Sequence, residues 1–123
     1  MQLILPWPPS VNTYWRPGPR GMYMTAAGRD YRENALRQFK DYDFPVIREK
    51  CSIKITAWPP DRRIRDLDNI LKPILDLLEH AQVIENDNQF EQISIRRGEI
   101  EKFGQIYVEI EPSPGLVACY PSA

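Results

Sequence analysis

The sequence predicts an α+β fold: one domain with elements in the order β-α-β-α-β-β and a mixed sheet of about four strands packed with helices. Three observations predict it. Apolar residues recur at period two at Leu3/Leu5/Trp7, Cys51/Ile53/Ile55/Ala57, Ile93/Ile95 and Ile106/Val108/Ile110. Two intervening segments carry a helical period instead. The length, 123 residues, suffices for one compact core and is too short for two ordinary domains, so binding and chemistry must share a fold.

Taken in order, Gln2–Trp7 reads as the first strand, stopped by Pro8-Pro9. Residues 8–24 hold Pro8, Pro9, Pro17, Pro19, Gly18 and Gly21 among Asn12, Tyr14, Trp15, Arg16 and Arg20. So many breakers predict a loop, at once basic and aromatic. Thr25 is the expected N-cap of a first helix through Lys40, with Tyr31, Ala35 and Phe39 on one face. The alternation from Lys50 to Trp58 is a second strand, ended by Pro59-Pro60. Leu67, Ile70, Leu71, Ile74, Leu75 and Leu78 form the strongest helical stripe and mark the second helix. Pro73 lies inside it and predicts a kink or an irregular first turn. The last two runs, bounded by Gly98 and Gly104, are expected to pair as a terminal hairpin. Residues 1–111 make the domain; residues 112–123, with three prolines and no charge, read as a C-terminal extension.

Composition narrows the function classes. No apolar run approaches the roughly 20 residues of a membrane span, and no signal-like N-terminus is present, so a cytoplasmic protein without membrane contact is expected. Two cysteines, Cys51 and Cys119, without CxxC spacing fit a reducing compartment and argue against a zinc site. No Gly-rich phosphate loop and no Ser-His-Asp set are found, so no nucleotide cofactor is expected. Net charge is −1, but it is unevenly distributed. Residues 1–72 hold 13 Lys/Arg against 8 Asp/Glu, net +5, whereas residues 73–123 hold 3 against 9, net −6. A polyanion would bind the basic half.

Where the second strand gives way to the second helix, Asp61-Arg62-Arg63-Ile64-Arg65-Asp66-Leu67-Asp68-Asn69 sets three arginines beside three aspartates. Asp66 and Asp68 fall at the helix N-terminus, and Lys72 lies one turn beyond Asp68 on the same face, away from the apolar stripe. Phosphodiester hydrolysis asks for a hard cation held by oxygen ligands, and two carboxylates with a lysine are its minimum parts. Arg62, Arg63 and Arg65, with Arg16 and Arg20 from the loop, are candidate phosphate contacts. The alternative is structural: Asp66 caps the helix, Asp68 and Lys72 form a surface ion pair, and the arginines are solvated. Tyr14 and Trp15 either stack on DNA bases or anchor the loop on the core. His80, the single histidine, reads as a surface or capping residue.

The stretch from Asp61 to Asn69 followed by Lys72 resembles the signature of the RusA family of Holliday-junction resolvases. Leu5-Pro-Trp-Pro-Pro-Ser-Val-Asn-Thr-Tyr14 is similar to the opening of that family. The resemblance implies a homodimeric endonuclease that cuts four-way junction DNA in recombination and repair, with paired nicks in strands of like polarity. It implies Mg²⁺, with Mn²⁺ as the alternative ion, held by Asp66, Asp68 and Asp87, and a lysine, Lys72, that assists cleavage; Arg65 also matches a required residue. Asp87 matches the family's third aspartate in its spacing from Asp68, and a loop after the second helix is expected to return it to the helix N-terminus. Asn86 and Pro73 depart from the pattern. The rival readings are a non-catalytic DNA-binding protein and a nuclease acting on flaps or RNA.

Overall fold

The computed structural model describes residues 1–40 and 42–113. Strand β1 (Gln2–Leu5) buries Leu3 and Leu5 and stops at Pro6. The breaker-rich segment is more ordered than its composition predicts. It forms a short helix α1 (Val11–Tyr14) and a ribbon of β2 (Trp15–Gly18) and β3 (Gly21–Met24). The breakers sit where a hairpin tolerates them. Pro19 occupies the turn, Gly21 takes φ +100°, and Pro17 lies in a two-stranded ribbon, where each strand has a free side for a residue lacking N–H.

Helix α2 (Ala26–Phe39) starts at Thr25, whose hydroxyl accepts the Gly28 amide at 3.2 Å, as the capping pattern predicts. It buries Gly28, Tyr31, Ala35 and Phe39. Strand β4 (Cys51–Trp58) follows, then helix α3 (Leu67–His80), which turns Ile70, Ile74, Leu77 and Leu78 to the core. Pro73 is buried within an uninterrupted α3, and the irregularity falls in the first turn, where the Asn69 amide reaches the Asp66 carbonyl at 3.2 Å. No helix among the described residues is long and apolar enough to cross a membrane.

A 3₁₀ turn at Asp87–Gln89 leads into β5 (Phe90–Arg97), and β6 (Gln105–Pro112) ends the described chain. The sheet order is β1-β6-β4-β5, with β6 antiparallel to both neighbours and β5 parallel to β4. The expected terminal hairpin therefore does not form. Ile106, Val108 and Ile110 are fully buried in the centre of the sheet, while β5 is an edge strand with Ile93 43% exposed. The connection crosses the end of β4, where the Gly98 amide binds the Ala57 carbonyl at 2.8 Å and the Glu101 amide binds the Pro59 carbonyl at 2.9 Å. Gly98 is required there because a Cβ would lie 2.5 Å from the Trp58 ring. Of the expected C-terminal extension, Pro112 closes β6 opposite Cys51, and residues 114–123 lie outside those described.

Two polar clusters fasten the elements. Arg32 of α2 holds Asp76 of α3 at 2.7 Å, and both share the Tyr14 hydroxyl, which donates to Asp76 Oδ2 at 3.1 Å and accepts from Arg32 Nε at 3.2 Å. Burial, and then the Asp76 charge, push the Tyr14 phenol up to about 12, so it remains a donor at ordinary pH. Gln89 is buried before β5. Its carbonyl accepts the Glu85 and Asn86 amides, both at 2.8 Å, and its amide donates to the Ile47 and Glu49 carbonyls at 2.8 and 3.0 Å.

Four partly buried backbone groups thus depend on one side chain. Gln89→Ala should lower the unfolding free energy by about 2–3 kcal/mol in a denaturant titration, since orphaned buried polar groups cost about 1–3 kcal/mol each and water can reach part of the gap. The exposed Gln92→Ala should stay within about 0.5 kcal/mol.

Candidate active site

Residues 61–66 leave the end of β4 and deliver Asp66 to the N-cap position of α3, with φ −79° and ψ 135°. Its side chain makes no capping hydrogen bond and no ion pair among the described residues. Asp68 in the first turn is exposed and also forms no ion pair, with Lys72 or with any other described residue. The structural roles open to these aspartates are therefore not taken up. Two unpaired carboxylates within one helical turn repel each other, and a hard divalent cation with oxygen ligands is the partner that relieves this. The donor set fits Mg²⁺, which takes one or two carboxylates and fills its shell with water and phosphate oxygens.

The arginines around them differ in commitment. Arg65 is held on three sides: its guanidinium meets Asp61 at 2.9 Å and lies 5.4 Å from the centre of the Trp7 ring, while its carbonyl accepts from Arg97 Nη2 at 2.6 Å. Asp61 is occupied by this task, and the Arg63 amide with the Arg65 side chain holds its carboxyl below the usual range. Arg62 and Arg63 are exposed and form no ion pair among the described residues, which leaves their guanidinium groups available for phosphate. Ile64, between Arg63 and Arg65, is 98% exposed.

The two sequence motifs, far apart along the chain, meet here. A cleft of about 320 Å³ separates Trp7, Pro8, Ser10 and Asn12 from Arg65, Asp66 and Asn69. A second, of about 370 Å³, lies between Arg62, Arg63 and Arg65 on one wall and Arg97 and Glu99 on the other. Arg97 was not among the residues singled out from the sequence, because it lies in the acidic half. Its signal is the parallel register, which pairs it with Ala57 and so sets it beside the 61–66 loop. Another cleft, of about 530 Å³, lies at the opposite end of α3 by His80, Arg48 and Glu85, away from Asp66 and Asp68.

Lys72 is exposed on α3, and its ammonium lies 5.8 Å from the centre of the Trp15 ring. Tyr14 is wholly buried, so of its two possible roles the anchoring one is realised. Trp15 is half-buried between Tyr14 and Lys72. Arg16 on β2 and Arg20 in the hairpin turn are exposed.

Asp87 is not where the sequence reading expects it. It opens the turn before Phe90, and Phe90 pairs with Cys51 at the start of β4, whereas Asp66 follows the end of β4. The 14 residues of α3 put about 20 Å between the two ends. No group of three or more acidic, histidine or cysteine side chains among the described residues comes together to hold an ion. The reason is topological: β5 runs parallel to β4, so the chain re-enters the sheet at the end opposite to Asp66.

Residues 6–111 match the family model described as Endodeoxyribonuclease RusA. The chain is 39% identical over 110 residues, covering 89% of it and 92% of the relative, to a crossover junction endodeoxyribonuclease of Enterobacteria phage HK97. It is 33% identical over 109 residues to crossover junction endodeoxyribonucleases of Escherichia coli K12 and of Enterobacteria phage 82, covering 88% of the chain and 91% of each relative. A match this nearly end to end shows that the chain belongs to the RusA family of endodeoxyribonucleases.

Proposed function

We propose that the chain resolves four-way DNA junctions as a Mg²⁺-dependent homodimer, hydrolysing one phosphodiester in each of two strands of like polarity. The observation that carries this is the pair of unpaired carboxylates, Asp66 and Asp68, at the N-terminus of α3 beside an arginine-rich loop. Residues 1–111 constitute the endonuclease unit, and its place is in recombination and repair of DNA in the cytoplasm.

Asp66 and Asp68 would hold the ion, which when bound polarises a phosphate and lowers the pKa of an attacking water. Arg62 and Arg63 grip phosphates flanking the scissile one, and Arg16 and Arg20 extend the basic track along a DNA arm. Arg65, fixed by Asp61, Trp7 and Arg97, orients the loop that carries the carboxylates. Lys72, unpaired with Asp68, is free to stabilise charge developing on the phosphate or the leaving oxygen.

Asp87 enters this site from a second copy. Within one chain it lies at the wrong end of α3, whereas among the described residues β5 pairs with β4 alone and leaves its other edge open. A twofold axis crossing that edge would run two copies of β5 antiparallel, bringing Asp87 of the partner subunit toward Asp66 and Asp68. Paired incision needs two sites, and such a dimer provides them only when assembled.

Incubation with a synthetic mobile junction should give paired nicks with Mg²⁺ and none in chelator; cleavage of flaps or RNA in preference to the junction would redirect the assignment. For the shared site, Asp66→Asn and Asp87→Asn homodimers should both be inactive, and mixing them should restore nicking, because one of the two sites in a mixed dimer is then intact. Mixtures that stay inactive would place all three aspartates in one chain, and an active Asp87→Asn homodimer would remove Asp87 from the site. Lys72→Ala should slow cleavage by about 10²-fold, the scale of losing one transition-state donor, with junction affinity retained. Arg62→Ala and Arg63→Ala should each reduce the slope of log affinity against log salt by about one, while Arg96→Ala, whose side chain binds Thr56 at 3.1 Å, leaves it unchanged.

A further inference from the structure

We propose that Trp15 is a positioning residue for Lys72: its ring fixes the ammonium over the active face of α3 and keeps it off the metal-binding carboxylates. The inference rests on the reading of Lys72 as the group acting at the phosphate, and goes beyond it by naming what holds that group in place.

A lysine on an exposed helix face samples many rotamers along a four-carbon stem. The opposite charge nearest along the helix is Asp68, one turn earlier, and pairing with it is the ordinary outcome of that spacing. It would neutralise a carboxylate the ion needs and withdraw the ammonium from the substrate. The structure shows another arrangement, with the Lys72 ammonium 5.8 Å from the centre of the Trp15 ring and no Asp68 ion pair. The face of an indole attracts a cation without removing its charge or occupying its N–H donors as a carboxylate would.

For the ring to position anything, it must itself be fixed relative to α3. Trp15 packs against Tyr14 with ring centres 4.1 Å apart and the planes tilted by 34°, and Tyr14 is wholly buried. The Tyr14 hydroxyl donates to Asp76 at 3.1 Å, and Arg32 closes the same carboxylate at 2.7 Å. Asp76 lies four residues beyond Lys72, on the same side of the helix one turn further on. The ring pair is therefore fastened to α3 at Asp76 and returns to it at Lys72, which ties the Trp15 ring to the helix as well as to the hairpin that carries it.

The test uses the full-length protein with a synthetic four-way junction under single-turnover conditions at saturating enzyme. Trp15→Leu should slow cleavage by about 10-fold with junction affinity unchanged, and Trp15→Phe, which keeps a ring, should recover the rate to within about twofold. In a Lys72→Ala background, Trp15→Leu should add no further loss. The unsubstituted protein should show the Lys72 ε-methylene resonances shifted upfield by the indole ring current, a readout that needs neither a variant nor cleavage, and folded Trp15→Leu should lose it. An unshifted Lys72 in the unsubstituted protein overturns the proposal, as does a Trp15→Leu loss that appears only as weakened junction binding or multiplies with that of Lys72→Ala. Lys72→Ala cleaving at full rate overturns the reading of Lys72 and the proposal with it. Trp15→Leu at full rate beside a crippled Lys72→Ala overturns the positioning alone.

Discussion

Parallel pairing of β5 with β4 is the constraint on which the rest of this molecule turns. Parallel neighbours require a crossover, and α3 is that crossover, returning the chain along the full length of the sheet. Its N-terminus must then lie at the C-terminal end of β4, and its C-terminus at the start of β5. The candidate carboxylates occupy the first of these ends, where open α/β sheets expose loops and helix N-termini to ligands. The same pairing brings Arg97 beside the 61–66 loop and carries Asp87 to the far end. With β6 filling the middle of the sheet, β5 remains an edge among the described strands.

Electrostatics at the carboxylate end follow a division of labour. Asp61 is consumed by Arg65 and the Arg63 amide, so it contributes to loop shape and little free charge. Asp66 and Asp68 are left with no ion-pair partner among the described residues. Helix N-terminal amides soften the cost of two adjacent negative charges, since partial positive charge gathers there. The exposed arginines supply the opposite field at longer range, and a polyanion can approach despite a net charge of −1.

Rigidity in this region comes from side chains rather than from the sheet. The hairpin of β2 and β3 pairs with no strand of the main sheet, yet the Tyr14, Arg32 and Asp76 cluster ties its base to α2 and α3. A partly buried ion pair adds little net stability by itself, because desolvation opposes the attraction. What it adds is a defined distance between helices. In the proposed dimer the consequence is functional, since a site drawing on two copies is complete only where the two are correctly assembled.

The sequence by itself determined the fold class, both main helices, the Thr25 cap, and the aspartates and arginines around the helix start. Each is a local matter: period and capping chemistry record which face of a segment is buried, and the motif from Asp61 to Asn69 lies within one turn of chain. The segment 8–24 was misleading because prolines and glycines that break long elements are compatible with a tight ribbon. Only the tertiary structure decided that β6 lies between β1 and β4, that Arg97 joins the arginine cluster, that Lys72 faces Trp15 instead of Asp68, and that Asp87 is remote from Asp66. Alternation shows that Ile106, Val108 and Ile110 are buried but not which strands flank them, and spacing along a chain carries no direction in space. These outcomes depend on pairing between distant segments, which no local pattern encodes.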